Sequence, residues 1–436
     1  MVQAVILAAG EGKRLEPFSY TKPKPLIPIL DRPLIDYIIE NLRNVGVNEI
    51  LIVVSHLKEK IMQHLSSGEK YNVRIHYIVQ EKPLGTAHAI KAIKEYVKPP
   101  FIIYYGDVLV SHQYLLKLLN LKSKHHLVIL ATKTKTPWDY GVLRVEDNNV
   151  IDIIEKPEKG KEPSNLINAG VYLADETILK YVNKIHLSPR GEYELTDAIK
   201  LMIKNGYSTS YVEVPQSEWF ELGKVWDILD INREFLQRKL KQYKNGIIKG
   251  DVSSRATIEG PVYIDEGAKV LSGVYIKGPA YIGKNAEIGP NSYIRPYSII
   301  GKNTRIGNAC EVKASVIMDH THAAHLTYIG DSVIGSYVNL GAGTITANLR
   351  FDNKTVKVRL KGKRIDSGKR KLGAFIGDYV KTGINVSIMP GVKIGAYSWI
   401  APGAVVYDDI PPRSFYKQVS TVFKVVPLSL KEDNIK

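Results

Sequence analysis

A glycine-containing loop near the start of the chain has residue types suited to phosphate binding. It reads Leu7-Ala8-Ala9-Gly10-Glu11-Gly12-Lys13-Arg14-Leu15 and follows a short apolar run. Small residues let the backbone approach a phosphate, and successive N–H groups form an anion-binding concavity. The third glycine of a dinucleotide fingerprint is replaced by Leu15, and no Gly-Lys-Ser/Thr follows, which excludes a P-loop. Basic residues return in Thr21-Lys22-Pro23-Lys24-Pro25-Leu26-Ile27-Pro28, so the sequence predicts a positively charged phosphate site.

These N-terminal motifs resemble those of the sugar-1-phosphate nucleotidylyltransferases. The resemblance starts with Leu-Ala-Ala-Gly-x-Gly-x-Arg-Leu and Pro-Lys-Pro, and it covers about residues 1–230. The further motifs, in family order, are Gln80, Leu84-Gly85-Thr86-Ala87, Gly106-Asp107, Asp139-Tyr140-Gly141-Val142, Ile154-Glu155-Lys156-Pro157 and Ile167-Asn168-Ala169-Gly170. The resemblance implies that a sugar 1-phosphate attacks a nucleoside triphosphate with Mg²⁺ present, and that pyrophosphate is released.

The same resemblance implies a role for each matched residue. Arg14 and Lys24 would be the catalytic cations on the nucleotide phosphates, and Gln80, which favours a pyrimidine, would read the base with Gly85. The nucleotide-binding set is Leu7, Ala8, Gly10, Gly12, Gln80, Gly85 and Thr86. The sugar-binding set is Gly141, Glu155 and Asn168. The metal ligands would be Asp107 and Glu221, although the family has Asp or Asn where this chain has Glu221.

The elements that must position these residues alternate between strand and helix patterns. Short apolar runs lie at Val5–Leu7, Ile50–Val54, Val73–Val79, Phe101–Tyr105, Leu127–Ala131 and Val171–Leu173. Helical patterns lie between several of them, at Leu34–Val45, Thr86–Val97 and His112–Leu121. This alternation predicts an α/β, Rossmann-like domain with a mostly parallel sheet and a ligand site at the carboxyl ends of the strands.

A second domain is predicted by a six-residue repeat. An aliphatic residue recurs at eleven consecutive positions: Val252, Ile258, Ile264, Val270, Ile276, Ile282, Ile288, Ile294, Ile300, Ile306 and Val312. A period of six fits neither a helix nor a single strand, and it is typical of a parallel β-helix built from hexapeptides. The pattern resumes in a new phase at Ile334, Leu340 and Thr346, and again at Ile376, Thr382, Ile388, Ile394, Ile400 and Val406.

Two interruptions of the repeat are expected to form loops. The first, Met318–Tyr328, is rich in histidine, and the second, Ala347–Lys371, is rich in lysine and arginine. Insertions in a solenoid gather on one face, which is often the binding face. The histidine spacing matches no recognised zinc pattern, and unligated surface histidines are expected for His320 and His322.

The region around His325 resembles the acetyltransferase half of the bifunctional N-acetylglucosamine-1-phosphate uridylyltransferase/glucosamine-1-phosphate acetyltransferases. The matching stretches are Cys310-Glu311-Val312-Lys313, His325-Leu326-Thr327-Tyr328 and residues 338–348, with Arg295 at the family's spacing before Lys313. The implied fold is a left-handed parallel β-helix, trimeric, with acetyl sites between subunits. The residue after Asn348 is tyrosine in the bacterial enzymes and Leu349 here, and the basic insertion is longer than theirs.

This resemblance implies a general base and its partners. His325 would be the catalytic base for the substrate amine, oriented by Glu311. The amino-sugar-phosphate set is Arg295, Glu311, Lys313, Tyr328, Asn339 and Asn348. The contacts to acetyl-CoA, the co-substrate, would involve Ala342 and Ala401.

Composition sets outer limits on these interpretations. The 436 residues carry a formal charge of +16, and the segment Arg350–Lys371 holds ten basic against two acidic residues. With one aromatic in that segment, attraction of phosphorylated small molecules or a solvated face is favoured over nucleic acid. A single cysteine, Cys310, and the absence of a long apolar run predict a cytoplasmic protein without a membrane partner.

The domain prediction is a nucleotidyltransferase domain at 1–230, a linker helix at 231–250, a β-helix acyltransferase domain at 251–412 and a tail at 413–436. The charged helix itself is predicted over Val225–Lys244, with Asn245-Gly246 ending it. Two alternatives remain: a nucleotidylyltransferase whose solenoid only oligomerises or regulates, and a non-catalytic assembly subunit. The combination of Arg295, Lys313, His325 and Asn348 argues against the first, and intact Arg14, Lys24 and Asp107 argue against the second.

Overall fold

The computed structural model describes residues 2–419 apart from residues 242, 244 and 245. Contacts divide the chain into two compact units. The first comprises the residues up to Gly12, then Lys22–Ile27 and Pro33–Leu222. The second comprises Lys13–Thr21, Pro28–Arg32 and the residues from Gly223 onward. Within the described ranges, none of the helices combines the length and apolar character needed to cross a membrane.

The N-terminal half alternates strands with helices, as the apolar runs predict. Its strands are β1 (Gln3–Ala8), β2 (Pro28–Ile29), β3 (Arg32–Pro33), β4 (Glu49–Val54), β5 (Arg74–Val79), β6 (Phe101–Tyr105), β7 (Val108–Val110), β8 (Leu127–Lys133), β9 (Gly141–Glu146), β10 (Asn149–Glu155), β11 (Leu166–Ala174), β12 (Thr209–Glu213) and β13 (Trp219–Glu221). Its helices are α1 (Leu34–Asn44), α2 (Lys58–Leu65), α3 (Thr86–Ala92), α4 (His112–Leu119), α5 (Thr177–Tyr181) and α6 (Leu195–Lys204). The helix that starts at Thr86 is shorter than its pattern suggests.

The sheet of the first unit has nine strands, in the order β5-β4-β1-β6-β11-β8-β12-β10-β9. Strands β5, β4, β1 and β6 are parallel, and β1 and β4 are fully or nearly fully buried. Beyond β6 the sheet is mixed, because β11 runs antiparallel to both β6 and β8, and β9 and β10 form a hairpin. The prediction of a mostly parallel sheet is therefore wrong for this half. Strands β9 and β10 are joined by a two-residue turn, and strands with so short a connection pair antiparallel.

The second unit contains a parallel β-helix with three sheets. The first sheet contains β14 (Ile247–Ile248), β17 (Val262–Ile264), β20 (Ala280–Ile282), β23 (Ser298–Ile300), β26 (Val316–Ile317), β29 (Val333–Ile334), β34 (Phe375–Ile376) and β37 (Lys393–Ile394). The second contains β15 (Asp251–Val252), β18 (Lys269–Val270), β21 (Glu287–Ile288), β24 (Arg305–Asn308), β27 (His322–His325), β30 (Asn339–Leu340), β35 (Lys381–Thr382), β38 (Trp399–Ile400) and β40 (Phe415–Tyr416). The third contains β16 (Thr257–Glu259), β19 (Tyr275–Lys277), β22 (Tyr293–Ile294), β25 (Glu311–Lys313), β28 (Tyr328–Gly330), β31 (Ile345–Thr346), β36 (Ser387–Ile388) and β39 (Val405–Val406).

The repeat positions form the core of this solenoid. In the first sheet the paired inward residues run Ile264, Ile282, Ile300, Ile317, Ile334, Ile376 and Ile394. All seven have at most 1% of their surface exposed. Burying an aliphatic side chain completely stabilises the folded state by about 1.5–3 kcal/mol. One such residue in each strand therefore explains how coils with such short strands are stable. Coil pairing continues past the predicted boundary at 412, because Phe415 pairs with Trp399. The predicted tail from 420 onward lies outside the described residues.

The histidine-rich interruption is not a loop, which corrects the prediction for Met318–Tyr328. These residues include strand β27, in which Ala323 occupies the inward position and pairs with Ile306. Seventeen residues separate Ile306 from Ala323, where eighteen separate Ile288 from Ile306. One coil is therefore a residue shorter than its predecessor, and its inward residue on this sheet is alanine. The missing residue shifts the six-residue phase, and alanine is smaller than the aliphatic residues that mark the repeat, so the pattern is not visible in the sequence at this coil.

The basic interruption does leave the solenoid. It forms a hairpin of β32 (Lys357–Leu360) and β33 (Lys363–Asp366), and an antiparallel bridge joins Leu349 to Lys371. The coils on either side pair directly, Ile334 with Ile376. Val356, Val358 and Leu360 are buried at 5% exposure or less, so the hairpin has an apolar side of its own.

The predicted connecting helix is α7 (Asp227–Leu240). It packs on the first sheet of the solenoid, where Lys239 Nζ lies 4.4 Å from the centroid of the Tyr263 ring and Arg233 lies 4.6 Å from that of Tyr297. Of the residues expected to end this helix, Asn245 lies outside the described residues.

Candidate active sites

The end of β6 brings a lysine and a carboxylate together beside the glycine loop. The Gly106 N–H donates to the Leu7 carbonyl at 3.0 Å, so the turn after β6 lies against the end of β1. The next residue, Asp107, accepts a hydrogen bond from Lys24 Nζ. Their side chains are 22% and 14% exposed, respectively. The structure thus places two predicted site residues in direct contact at the carboxyl edge of the parallel strands, where ligands bind in such sheets.

Glu221 lies on the strand that pairs with the residues following Asp107. It is opposite Val108 in the pairing of β13 with β7, and the Leu222 N–H donates to the Asp107 carbonyl at 2.9 Å. Its Oε2 accepts the Tyr140 hydroxyl at 2.9 Å. Among the described residues there is no cluster of three or more His, Cys, Asp or Glu that could hold a metal. The carboxylates of Asp107, just before β7, and Glu221, on the neighbouring β13, nonetheless fit Mg²⁺, which usually takes one or two protein carboxylates together with substrate phosphates.

The predicted base-reading residue Gln80 is buried, with 3% of its surface exposed. Its side-chain Nε2 lies 2.6 Å from His88 Nδ1. Burial and, secondarily, Lys91 lower the pKa of His88, which favours the neutral ring that can accept this amide N–H. Sequence reasoning missed His88, although it directly follows the matched stretch Leu84-Gly85-Thr86-Ala87.

Gly85 and Thr86 lie against the residues preceding α6. The Tyr193 N–H donates to the Leu84 carbonyl at 2.7 Å, and the Tyr193 carbonyl accepts the Ala87 N–H at 2.9 Å. Thr86 Oγ1 accepts the Leu195 N–H at 3.0 Å. The start of α3 is thereby fixed to the start of α6.

The three predicted sugar-binding residues lie close together at the ends of β9, β10 and β11. Gly141 pairs with Glu155, whose Oε2 accepts the Thr196 hydroxyl at 3.1 Å. Burial raises the pKa of Glu155, and Lys156, 3.5 Å away, opposes that shift. Asn168 donates from Nδ2 to the Tyr172 hydroxyl, which in turn donates to Tyr105 at 3.1 Å.

These contacts add groups that the motifs did not mark. The additional polar side chains near Glu155 and Asn168 are Thr196, Arg190, Tyr105 and Tyr172. Burial raises the pKa of both tyrosines well above the ordinary value, so their hydroxyls stay protonated. Arg14 is exposed in a short turn, Lys13–Leu15, which belongs to the second unit.

On the solenoid, two cation–carboxylate pairs lie on the third sheet. Arg295 Nη1 donates to Glu311 Oε1 at 2.8 Å, and this carboxylate raises the pKa of Arg295. Lys313 Nζ lies 2.6 Å from Asp331 Oδ2. The same Oδ2 accepts Asn348 Nδ2 at 2.5 Å, and that amide nitrogen also lies 3.1 Å from the Tyr328 hydroxyl. Lys313, Tyr328 and Asn348 are thus joined, and Asp331 is the residue that sequence reasoning missed.

His325 ends strand β27 and is exposed. Its carbonyl accepts the Thr327 hydroxyl at 2.9 Å and the Gly343 N–H at 3.3 Å, which fixes the backbone. The predicted orienting contact from Glu311 is not among the side-chain hydrogen bonds of the described residues, since Glu311 is bonded to Arg295 instead.

The other two histidines have different surroundings. The His320 ring stacks on Tyr337 with centroids 4.6 Å apart. The exposed His322 pairs with Arg305 and Asn339 on the second sheet. Asn339 is exposed on the same sheet as His325, while Ala342 and Ala401 are half-buried in later turns.

Comparison with protein families extends these observations over most of the chain. The model of the nucleotidyl transferase family matches residues 3–238. A GMPPB C-terminal domain model matches residues 276–361, and six bacterial transferase hexapeptide repeats match residues 373–408.

Among known proteins, the chain is 47% identical over 418 residues to a bifunctional sugar-1-phosphate nucleotidylyltransferase/acetyltransferase of Sulfurisphaera tokodaii. That match covers 95% of this chain and all of the relative. The chain belongs to this bifunctional family. Proteins named bifunctional protein GlmU from Methanococcus maripaludis and Methanocaldococcus jannaschii are 45% and 42% identical, over 96% and 97% of this chain and 98% and 99% of theirs.

Family membership confirms the fold class and the kind of enzyme that the motifs predict. The chain is a multifunctional transferase with a Rossmann-like nucleotidyltransferase domain followed by a left-handed β-helix of hexapeptide repeats. The scaffold-only and non-catalytic alternatives are set aside by relatives that match over nearly the whole chain.

Proposed function

We propose that the N-terminal domain joins UTP or dTTP to a sugar 1-phosphate. A phosphate oxygen of the sugar 1-phosphate attacks the α-phosphorus, a new P–O bond forms, and the bond to pyrophosphate breaks. The nucleophile is already an anion, so the protein contributes positioning and positive charge rather than a strong base. Lys24 supplies charge beside the glycine loop, and Arg14 is assigned the same role. The contact of Lys24 with Asp107 at the strand end is the observation that supports this assignment most directly.

In this proposal Asp107 and Glu221 hold Mg²⁺. A bound Mg²⁺ would neutralise charge on the triphosphate as pyrophosphate leaves. Glu221 replaces the family's shorter Asp or Asn, and its Oε2 accepts the hydrogen bond from Tyr140.

The proposed preference for uracil or thymine follows from the Gln80 amide. Since Nε2 faces the neutral His88, Oε1 is the group left to accept a hydrogen bond. Uracil and thymine carry an N–H donor at ring position 3, whereas cytosine has an acceptor there. The sugar would bind near Gly141, Glu155 and Asn168, where a buried carboxylate can accept from sugar hydroxyls.

The β-helix domain, we propose, acetylates glucosamine 1-phosphate or galactosamine 1-phosphate. The substrate nitrogen attacks the thioester carbonyl of acetyl-CoA, so a C–N bond forms and the C–S bond breaks. His325 removes the amine proton, since a neutral imidazole has a suitable basicity near neutral pH. Arg295 and Lys313 would hold the sugar phosphate, while Tyr328, Asn339 and Asn348 contact the amino sugar.

A homotrimer with the acetyl sites between subunits completes the proposal. Large apolar side chains are exposed on the second and third sheets, among them Trp399 at 56% and Phe415 at 62%. Exposed apolar patches of this kind mark association surfaces. Light scattering should report three chains per particle, and a monomer at micromolar concentration would contradict the inter-subunit site.

The proposed division of the chain is 1–230, 231–250, 251–412 and 413–436, with the coil pairing of the third part extending to Tyr416. Ala342 and Ala401 are assigned to acetyl-CoA, and the remaining loop residues Leu7, Ala8, Gly10, Gly12, Gly85 and Thr86 to the nucleotide. The proposal places the enzyme in the cytoplasm, without nucleic acid or membrane as partners.

A paired assay tests both reactions. Pyrophosphate release is measured with UTP, dTTP, CTP, ATP and GTP against several sugar 1-phosphates, and thiol release from acetyl-CoA is measured with both hexosamine phosphates. We expect UTP or dTTP to be preferred and at least one hexosamine phosphate to be acetylated. If neither is acetylated, the proposed amino-sugar substrate is wrong.

A further inference from the structure

Asp331 is a buried carboxylate outside the predicted site residues. It follows strand β28, and 8% of its surface is exposed. Its backbone N–H donates to the Lys313 carbonyl, and its carbonyl accepts the Gly373 N–H, both at 2.8 Å. Backbone bonds on both sides therefore hold this residue at one place in the coil.

One oxygen of this carboxylate binds two side chains of the proposed acetyl-transfer site. Asp331 Oδ2 lies 2.6 Å from Lys313 Nζ and 2.5 Å from Asn348 Nδ2. The Lys313 and Asp331 side chains are only 18% and 12% exposed, so water screens this pair less than a surface pair. Burial of a carboxylate is costly unless it is paired and hydrogen-bonded, and here both conditions are met.

The third member of the cluster is held by local packing. Gly330 precedes Asp331, and a Cβ at Gly330 would lie 2.5 Å from the Tyr328 hydroxyl oxygen. The absent side chain therefore leaves room for the Tyr328 ring to fold over the backbone. That places its hydroxyl 3.1 Å from Asn348 Nδ2.

We propose that Asp331 is a positioning residue of the acetyl-transfer site and that it fixes the orientation of the Asn348 amide; the inference rests on the proposed acetylation of a hexosamine phosphate. An ionised carboxylate only accepts hydrogen bonds, so it selects the NH₂ end of the amide. With Nδ2 facing Asp331 and Tyr328, the Asn348 oxygen is directed away from them. It accepts an N–H of the substrate amine and orients the nitrogen for attack on the thioester.

The same carboxylate also affects substrate affinity through Lys313. By partly neutralising this cation, Asp331 weakens its attraction for the sugar phosphate. Losing the charge of Asp331 should therefore lower kcat, because the amine is misplaced, and also lower KM, because Lys313 attracts the sugar phosphate more strongly. A loss of general structural integrity would instead raise KM or lower both the activity and the melting temperature.

The test compares Asp331→Asn with the unmutated protein in steady-state acetyl transfer from acetyl-CoA to glucosamine 1-phosphate. We expect kcat to fall about 10- to 100-fold, the range typical of a misplaced reacting group. We expect KM for the sugar phosphate to fall by up to about fivefold, as for loss of a partly exposed counter-charge. The matched control is Asp319→Asn, which breaks a Lys302–Asp319 pair of 3.5 Å elsewhere on the solenoid and should change neither constant.

Asn348→Asp supplies a second test that leaves Asp331 intact. It keeps the side-chain shape and an oxygen for the amine but removes the N–H donors to Asp331 and Tyr328. We expect a kcat loss similar to that of Asn348→Ala. Adding Asp331→Asn to Asn348→Ala should cause no further loss, because both changes remove the same orientation.

Each result distinguishes this inference from the function on which it rests. An unmutated protein that acetylates neither glucosamine nor galactosamine 1-phosphate would refute both. Normal acetylation with a kcat for Asp331→Asn within twofold of the unmutated value would refute the positioning role alone. So would an Asn348→Asp variant with full kcat, or losses from Asp331 and Asn348 that multiply.

Discussion

Gly85, in the nucleotide-binding region, lies in a backbone turn that has no room for a side chain. It precedes α3 with φ 113° and ψ 174°, a region that is essentially restricted to glycine. A Cβ placed there would lie 2.5 Å from the Tyr193 carbonyl oxygen and 2.8 Å from its nitrogen. We predict that Gly85→Ala destabilises the nucleotidyltransferase domain and impairs pyrophosphate release.

The expected magnitude has two parts. Holding alanine in this conformation costs about 1–3 kcal/mol. Relieving the overlap with the Tyr193 backbone costs about 1–3 kcal/mol more. A combined loss of about 4 kcal/mol lowers the melting temperature of a domain of this size by about 8–16 °C.

The matched control is Gly206→Ala, in the same unit. Gly206 also has a positive φ, 79°, but a Cβ there has no neighbour within 4 Å. Only the conformational cost of about 1–2 kcal/mol remains, which corresponds to about 2–8 °C.

The test measures the melting temperature by calorimetry, and both pyrophosphate release and acetyl transfer, for Gly85→Ala and Gly206→Ala. Acetyl transfer should persist in both below their unfolding temperatures, since its proposed residues lie in the second unit. Gly85→Ala should lose most pyrophosphate release, because Thr86 and Gln80 lie beside the altered turn. Equal melting temperatures for the two variants, or full nucleotidyl transfer by Gly85→Ala, would refute this account of the turn.

Three further predictions concern the proposed catalytic groups. Lys24→Ala should reduce pyrophosphate release by at least about 100-fold, because it removes positive charge that acts on the transition state, and it should spare thiol release from acetyl-CoA. Near-normal nucleotidyl transfer would contradict the assignment of Lys24 as a catalytic cation. Asp107→Asn should raise the Mg²⁺ concentration needed for half-maximal activity more than tenfold, since a charged ligand becomes neutral. Glu221→Gln should raise this concentration less. An unchanged Mg²⁺ titration would remove either residue from the metal site. His325→Ala should reduce acetyl transfer by about 10²–10⁴-fold, the contribution typical of general-base catalysis, while His322→Ala changes it little. The opposite result would show that the general base was assigned to the wrong histidine.

The sequence predicts the solenoid well because its signal is periodic and each repeat reports on the core directly. Ile282, Ile300 and Ile376 all lie inward, where the six-residue period puts them. The sequence predicts the shortened coil poorly, because the inward position there is Ala323. Alanine also occurs on protein surfaces, so it does not mark a core position. Periodicity alone cannot distinguish a deleted residue from an inserted loop.

Motifs locate site residues but not the residues that hold them. Gln80 and Asn348 were found from the sequence, whereas their partners His88 and Asp331 were not assigned a role. A hydrogen bond across coils depends on three-dimensional register, which a motif does not report. The expected contact of Glu311 with His325 shows the same limit, since Glu311 pairs with Arg295.

The direct pairing of Ile334 with Ile376 has a consequence for engineering and for divergence among relatives. The segment between the flanking coils enters and leaves at one point, where Leu349 bridges to Lys371. It is therefore an exchangeable cassette: its length and charge can change without altering the pitch of the solenoid. Closing a loop of a different length costs little, since each doubling adds only about 0.6 kcal/mol. The coils that carry Lys313 and Asn348 therefore keep their spacing when the length of this cassette changes.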